Sequence, residues 1–400
     1  CERIASGAAR DRVHARVARP GKILRKIVAA RHRCGHDKGM DPRSPTRRDT
    51  LVALAAGALF PAGVARAELA PPRLIAGTYR REGGAGLYPL TATSRGWQVD
   101  APMAMLRDLS FGVRTDTHHY WVEEHAKGRL IVTDREERLL ASLSSGGDDP
   151  CHVAIDPAGR HLAVANYTSG TVAIYPVGHN GIPAAPVIRQ HRGQGPNPLR
   201  QRGPHAHWVG FSADGRFLHS VDLGADAIFL HPLRGAGEPG IAWRAPAGSG
   251  PRHLVRHPAR PIAYVVTELG NELLTLRALR DGRFVTIRRQ PLLPAGATGA
   301  SYAAHIAIDR AARRLYVSNR GHDSIAVFAL AGNGDARLLQ HIACGGHWPR
   351  FFLLIEDAGL CLVANERSGT VAVLRLLPDG QLAATGELLS VPGVACLARA

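Results

Sequence analysis

The residues of this sequence that could do chemistry are histidines, arginines and a few carboxylates, which gather in short segments between apolar strands. The densest segment spans residues 197–207 and ends in His205 and His207. Side chains at i and i+2 of an extended strand lie on one face, so this pair could bind a metal or share a proton-transfer task. Further candidates stand in later segments: Arg252, His253, Glu268, Arg320, His322 and Asp323.

A repeat of about 48 residues organises these segments. Each copy has a polar turn with Asp or Gly, an apolar strand that ends in a polar residue, and a second apolar strand. The stretch 156–166, followed by 170–175, is one example. The strand ends fall at positions 123, 166, 222, 267, 319 and 365, which is five steps over 242 residues. Paired strands at a long period are typical of propeller blades.

We therefore predict an all-β fold, a seven-bladed β-propeller, over residues 68–400. These 333 residues hold close to seven units of the repeat. One blade lacks its own turn motif, and we expect it to combine residues 74–78 with C-terminal strands around 382–398, which would close the ring. A long helical pattern is missing from the series, which argues against a doubly wound α/β fold.

The first 67 residues are typical of an export leader. We expect residues 1–39 to be a leader upstream of the true start at Met40. Residues 40–67 contain paired arginines before a short apolar run and end in Ala-Arg-Ala, which predicts a twin-arginine signal peptide. The apolar run is marginal as a membrane anchor. We predict a periplasmic or secreted protein that has left the membrane after cleavage, with a cytoplasmic location as the alternative.

Charge and cysteine content argue against other classes of protein. The net charge is +17, but residues 1–67 hold 15 Lys and Arg against 5 Asp and Glu. The rest shows no basic stripe interleaved with aromatic residues, so we predict no nucleic-acid partner. None of the six cysteines forms a Cys-x-x-Cys pair, which argues against a metal knuckle. We expect the four cysteines after residue 67 to be unpaired core thiols rather than disulfides.

Five motifs in chain order resemble the propeller-type lactonase family, which includes 6-phosphogluconolactonases and fungal carboxymuconate-lactonising enzymes. The likeness covers roughly residues 73–400. Each motif alone is weak, but their common order is specific. The segments are 150–167, 203–207, 222–226, 250–254 and 318–328.

The resemblance implies an active site at the mouth of the central channel. The family's proposed site contains a His, two Arg and a Glu, which fall on the matching positions His207, Arg252, Arg320 and Glu268. Hydrolysis of a lactone needs an activated water and stabilisation of a tetrahedral oxyanion. His207 or Glu268 could be the general base, and the arginines offer planar forks for an oxyanion or a substrate anion. A serine elbow is not evident, and we predict neither a metal nor a cofactor.

Four further residues are predicted to contact the substrate: His205, His152, Arg350 and His305. Each also has a structural alternative, as do the four catalytic candidates, of which Glu268 and Arg252 could be a buried ion pair between blades. The sequence departs from the family at His305, where an acidic residue is usual, and at Thr267 and Phe351, where Asn is usual. The change at His305 would shift the pocket towards positive charge.

Three functions remain open from the sequence. The first is a metal-independent lactonase that acts on a sugar lactone, as 6-phosphogluconolactonases do. The second is a cycloisomerase like the muconate-lactonising members. The third is a non-catalytic propeller that serves as a binding or scaffold protein. For the first two we expect a small-molecule lactone partner, and we expect a monomer or a weak homo-oligomer.

Overall fold

The structure, a computed structural model, describes residues 72–233 and 237–400. This part of the chain forms seven four-stranded antiparallel sheets, and two short 3₁₀ turns, Arg80–Glu82 and Glu356–Ala358, are its only helical elements. The predicted all-β seven-bladed propeller is therefore confirmed. The predicted leader and signal segments lie outside the described residues.

The strands follow the chain in an order that builds one blade after another. The first three blades contain β1 (Arg73–Thr78), β2 (Tyr88–Thr93), β3 (Gly96–Val99), β4 (Leu109–Arg114), β5 (His119–Glu123), β6 (Arg129–Thr133), β7 (Leu139–Ser144), β8 (Pro150–Ile155), β9 (His161–Asn166), β10 (Thr171–Pro176) and β11 (Val187–Gln190). The next two contain β12 (Ala206–Phe211), β13 (Leu218–Asp222), β14 (Ala227–His231), β15 (Gly240–Arg244), β16 (Pro251–Arg256), β17 (Ile262–Thr267), β18 (Glu272–Ala278) and β19 (Phe284–Pro291). The last strands are β20 (Tyr302–Ile308), β21 (Arg314–Arg320), β22 (Ser324–Leu330), β23 (Ala336–Ala343), β24 (Pro349–Ile355), β25 (Leu360–Asn365), β26 (Thr370–Leu376), β27 (Leu382–Ser390) and β28 (Val394–Arg399).

The ring closes where the C-terminal strand joins the first blade. β28 is the innermost strand of a sheet with the order β28-β1-β2-β3, and Leu74 faces Arg399 in its register. The sequence prediction was right about residues 394–399 but wrong about residues 382–390. That stretch forms β27, the outer strand of the preceding blade, where it pairs with β26.

Burial explains why these segments are strands. The second strand of each blade is packed on both faces, as in β17, which is buried at all six positions. Outer strands such as β19 expose most of their residues. Alternating apolar side chains let neighbouring sheets pack face to face. Cys151, Cys344, Cys361 and Cys396 are buried and unpaired, which confirms the prediction of core thiols. A helix able to cross a membrane does not occur in the described residues.

Gly77 lies in β1 at the point where the ring of blades closes, and its close contacts lead to the first testable prediction. A Cβ at Gly77 would lie 2.1 Å from the carbonyl oxygen of Leu109 and 2.8 Å from Sγ of Cys396. We expect Gly77→Ala to lower the free energy of unfolding by about 1–3 kcal/mol, because the backbone at this junction must shift. Gly240→Ala is the control, since a Cβ there meets nothing within 4 Å. Urea denaturation measures both, and equal stability of the two variants would contradict the prediction.

Candidate active site

A bulge near the start of each inner strand brings polar side chains to one mouth of the channel. The pairing register of the first and second strands shifts at this point in all seven blades. A β-bulge leaves one residue out of the ladder and re-aims its side chain. The residues skipped by the ladder are Ser110, Cys151, His207, Arg252, Arg350 and Ala395, with Ala304 and His305 facing a single partner in the remaining blade.

A second ring of side chains comes from the position that follows the polar strand end of each repeat. This is the residue directly after the second strand in six blades and the last residue of β21 in the blade of Arg320. Its members are Tyr79, Glu124, Tyr167, Leu223, Glu268, Arg320 and Glu366. In six of the seven, the backbone N–H donates to a carbonyl just before the inner strand, at 2.7–3.0 Å. This hydrogen bond holds the second ring against the bulged residues of the first. Both rings therefore lie at the same mouth.

The buried Glu268 carboxylate pairs with three arginines, of which Arg252 and Arg320 are buried and Arg200 is 35% exposed. Its oxygens lie 3.0 Å from Nε of Arg252, 2.7 Å from Nη2 of Arg320 and 2.6 Å from Nη2 of Arg200. Burial alone would raise the pKa of Glu268, but the arginines, led by Arg320, outweigh it and hold the pKa well below its usual range. Both carboxylate oxygens of Glu268 are thus engaged by guanidinium groups, so Glu268 is placed to fix the positions of the arginines.

Arg252 presents part of its guanidinium to the channel. Its Nε is engaged by Glu268, and its Nη1 donates to the Ala304 carbonyl at 2.8 Å and to His253 at 3.1 Å. Its Nη2 has no hydrogen-bond partner among the described residues and is available to a substrate oxygen. Burial, reinforced by the Arg320 charge, lowers the pKa of Arg252 to about 9, so the group still carries its charge at neutral pH.

His207 lies beside this cluster as a neutral imidazole. Its side chain is buried, with Nδ1 3.8 Å from Sγ of Cys151, and its ring meets the Tyr167 ring edge-on, with centroids 5.4 Å apart. Burial, followed by the Arg252 charge, lowers the pKa of His207 well below its usual value. Its Nε2 makes no hydrogen bond with the described residues, so a neutral nitrogen is available to accept a proton.

This environment predicts a specific pH profile. If His207 is the general base, its active form is the neutral one. Because its pKa in the folded protein is lowered, we then expect kcat/KM to stay level from about pH 8 down to the ordinary histidine pKa of about 6.5. The rate should then fall only at more acidic pH. Initial rates corrected for spontaneous lactone hydrolysis measure this. A rate that already halves near pH 7 would contradict the assignment of His207 as the base.

A second charged cluster surrounds Arg350. Tyr79 donates from its hydroxyl to Oε2 of Glu124 at 2.6 Å, and Arg350 lies 3.3 Å from the same oxygen and 3.8 Å from Glu366. The guanidinium also lies over the Tyr79 ring, 5.1 Å from its centroid. Burial opposes the charge of Arg350, but Tyr79 and the two carboxylates raise its pKa. Arg350 is thus paired with two carboxylates, and its charge contributes to the electrostatic field at His207; its contact with a substrate stays a prediction.

Aromatic and histidine rings at or next to the bulged residues pack against one another. Phe111 lies against His152 with centroids 4.0 Å apart, and Phe351 lies against His305 at 4.2 Å. Between them, Nδ1 of His253 lies 3.2 Å from Nδ1 of His305. His152 and His305 both belong to this group of packed rings, and their contact with a substrate stays a prediction.

Both of these histidines are neutral. Burial lowers the pKa of His152 well below its usual value and, with Arg252, lowers that of His305 to about 3. His305 therefore removes the negative charge that an acidic residue would carry at this position, but it adds no positive charge.

His205 occupies the rim rather than the buried site. It stacks on Tyr167 with centroids 4.5 Å apart, and its Nδ1 lies 3.0 Å from the Tyr167 carbonyl. The bulge at His207 separates the environments of the two histidines, which contact the same tyrosine in different ways. Within residues 72–233 and 237–400, no three His, Cys, Asp or Glu side chains are placed to hold a metal.

Sequence reasoning missed several residues of this mouth. The sequence predicted no role for Arg200, which stands in the 197–207 segment, and none for Trp348. Trp348 has a left-handed φ of 68°, which is strained for a bulky residue, and Arg367 lies 3.4 Å above its ring. Four more residues of this mouth were not predicted: Tyr79, Glu124, Tyr167 and Glu366. The repeat could have indicated them, because each stands directly after the polar strand end of its blade.

Comparison with known proteins gives the same assignment. A family profile described as "Lactonase, 7-bladed beta-propeller" matches residues 73–398. A 6-phosphogluconolactonase of Bacillus subtilis is 35% identical over 338 residues, covering 80% of this chain and 96% of the relative. The solved structure of a periplasmic gluconolactonase of Pseudomonas aeruginosa matches with a TM-score of 0.76 and 27% identity, over 82% of this chain and 99% of that one. A putative 6-phosphogluconolactonase of Bacteroides uniformis matches with a TM-score of 0.74 and 28% identity, over 82% and 99% of the two chains. The chain thus belongs to the seven-bladed β-propeller lactonase family.

Proposed function

We propose that this protein hydrolyses a sugar δ-lactone of the gluconolactone type, with His207 as general base. The observation that carries the proposal is the Glu268 cluster, which holds Arg252 and Arg320 as buried cations beside a neutral imidazole. The names of the relatives support the substrate class, since they are a 6-phosphogluconolactonase and a gluconolactonase.

The proposed reaction uses these groups in turn. His207 accepts a proton from water as the water oxygen bonds to the lactone carbonyl carbon. The carbonyl oxygen becomes an oxyanion, which the N–H groups of Arg252 and Arg320 stabilise in a site with little water. The bond between the carbonyl carbon and the ring oxygen then breaks, and the protonated His207 returns its proton to that oxygen. The product is an open-chain hydroxy acid.

We propose that the reaction needs no metal. The described residues offer arginine forks where a metalloenzyme would offer ligands, and they hold no three-residue ligand group. Removing a catalytic metal would abolish its Lewis-acid contribution and most of the activity. Because we propose that no metal takes part, we expect activity to stay within about twofold after exhaustive treatment with EDTA. A large loss that Ca²⁺ or Zn²⁺ restores would contradict this.

The experiment that tests the function is a substrate panel. Purified protein is assayed with glucono-1,5-lactone, 6-phosphoglucono-1,5-lactone and cis,cis-muconates, followed by acid release or absorbance. We expect turnover of the gluconolactones, at a rate that Arg252→Ala abolishes. Turnover confined to muconates would indicate the cycloisomerase. Inactivity on every substrate, with an intact fold, would indicate the binding or scaffold protein.

We propose export for the same protein. The paired arginines, short apolar run and Ala-Arg-Ala ending of residues 40–67 support it, and the Pseudomonas relative is described as periplasmic. An exported enzyme would meet unphosphorylated lactones more readily than phosphorylated ones. Cell fractionation and N-terminal sequencing test this, and a mature protein that begins at Met40 would contradict cleavage.

A further inference from the structure

A cavity of about 930 Å³ lies on the face of the propeller opposite the active site, between the blade of β12–β15 and the blade of β16–β19. Its lining comes from the ends of β12 and β16 and from the loops that follow them. His207 and Arg252 stand near the starts of the same strands. Since a strand rises about 3.3 Å per residue, most of the strand length, roughly 15 Å, separates this cavity from the catalytic mouth.

The lining combines positive charge with apolar surface. Four arginines contribute to it, Arg216, Arg256, Arg260 and Arg280, against one acidic residue, Asp214. Asp214 is already engaged, at 3.5 Å from Nε of Arg216. The apolar side chains include Phe211, Phe217, Ile262, Leu279 and Phe284. Such a cavity suits a ligand that is both anionic and partly apolar.

Comparison with the other blades shows how the cavity arises. Three residues before the polar strand ends of the repeat at positions 123, 267 and 319, other blades carry a tyrosine whose hydroxyl donates to a glycine carbonyl of the next blade; these are Tyr120, Tyr264 and Tyr316. In the blade of β12–β15 the same position holds His219, whose Nε2 lies 2.6 Å from the carbonyl oxygen of Gly282. Imidazole keeps the hydrogen bond between blades, but it is smaller than a phenol and leaves space beside it.

A second exchange places a cation in that space. The inner strands of the next two blades end in Ile308 and Ile355, whereas β16 ends in Arg256. The Arg256 guanidinium lies 5.3 Å from the centroid of the Phe284 ring. Its Nη2 donates to Nδ1 of His219 at 2.7 Å, which fits an imidazole that carries its proton on Nε2.

The charge of Arg256 has no direct counter-ion among the described residues, and Asp214 acts on it only from beyond ion-pair distance. Its Nε is buried without a hydrogen-bond partner, and its guanidinium has no carboxylate within ion-pair distance in the part of the chain that the structure describes. A buried charge without a counter-ion is costly. Burial lowers the pKa of Arg256 to about 10 and that of His219 to about 3. Arg256 therefore keeps its charge at neutral pH and His219 stays neutral.

We propose that this cavity is a second binding site, for a small organic anion. A carboxylate or phosphate group of the ligand pairs with the free edge of the Arg256 guanidinium, and a flat apolar body packs against Phe217 and Phe284. Arg260 and Arg280, at the exposed rim, attract the anion electrostatically. The site is separate from the lactonase chemistry and does not depend on the function proposed above.

Binding of two probes tests the proposal: 2-naphthoate for the carboxylate and phenyl phosphate for the phosphate. Isothermal titration and thermal unfolding are measured on the full chain, on Arg256→Met, and on Arg337→Met as a matched loss of one exposed arginine. We expect saturable binding of at least one probe and a melting temperature that rises with its concentration. Arg256→Met should weaken binding at least tenfold, and Arg337→Met should leave it unchanged.

Two further measurements keep the test decisive. Without probe, we expect Arg256→Met to be at least as stable as the parent, because it removes an unpaired buried charge; a clearly lower melting temperature would overturn the argument. Because the lactonase mouth is also rich in arginine, binding is repeated on Arg252→Ala. Binding that survives in Arg252→Ala but not in Arg256→Met supports the proposal. The reverse pattern, or no saturable binding of either probe, overturns it.

Discussion

Replacing His207 by Asn is expected to lower kcat for gluconolactone hydrolysis by about 10²–10⁴-fold, the usual contribution of a general base. Asn is close to His in size and keeps a polar group, but it cannot accept the proton of the attacking water. The imidazole is buried and neutral, with a free Nε2, so most of the loss should be in kcat and little in KM. Steady-state kinetics on the purified variant, with a check of its melting temperature, measure the effect.

His205→Asn is the matched control for this experiment. His205 stands two residues away, stacks on the exposed side of the site and holds the Tyr167 carbonyl. We expect less than a tenfold change in kcat from its loss, because a rim residue contributes to binding rather than to proton transfer. If the two variants lost activity equally, or if His207→Asn kept more than a tenth of it, His207 would not be the base.

Replacing Glu268 by Gln is expected to reduce both stability and activity. The change leaves three arginines without their shared carboxylate, and two of them, Arg252 and Arg320, are buried. Removing one partner of a buried ion pair costs about 3–5 kcal/mol in free energy of unfolding. Arg252 and Arg320 would also lose their fixed positions, so we expect kcat/KM to fall by about 10²–10³-fold, as it does when an oxyanion donor is lost.

Glu272→Gln is the control, since Glu272 makes an exposed ion pair with Arg289 at 2.9 Å. An exposed pair contributes about 0–1 kcal/mol. The stability that Glu268 contributes depends on a lowered pKa, so it is fully present above the pKa of an unfolded Glu, about 4.3, and is lost as the pH falls towards the folded value. Urea denaturation at pH 7 and pH 3.5 should show a smaller gap between parent and Glu268→Gln at the lower pH. If Glu268→Gln and Glu272→Gln were equally stable at pH 7, the role given to Glu268 would be contradicted.

Much of the architecture can be predicted from the sequence. The blade count follows from a period of about 48 residues, and the alternation of turn, apolar strand and polar strand end places each second strand. The same repeat points to the active mouth, because the residue after each strand end contributes to one ring. Glu268 and Arg320 stand at that position in their blades. These features can be predicted because the repeat is a local pattern of the sequence and does not depend on long-range contacts.

The closure of the ring and the chemistry of the site depend on contacts between distant parts of the chain. Pairing with β1, more than 300 residues earlier in the chain, decided that residues 394–399 and not residues 382–390 join the first blade. Arg200 reaches Glu268 across 68 residues, and no local pattern indicates that contact. The electrostatic state of the two candidate bases follows from contacts of the same kind, since burial lowers the pKa of His207 and three arginines hold down that of Glu268. The sequence by itself determined which residues carry functional groups and in which repeat they stand. The tertiary structure alone decided their protonation, because a pKa is set by the solvent and charges around a group in space rather than by its neighbours along the chain.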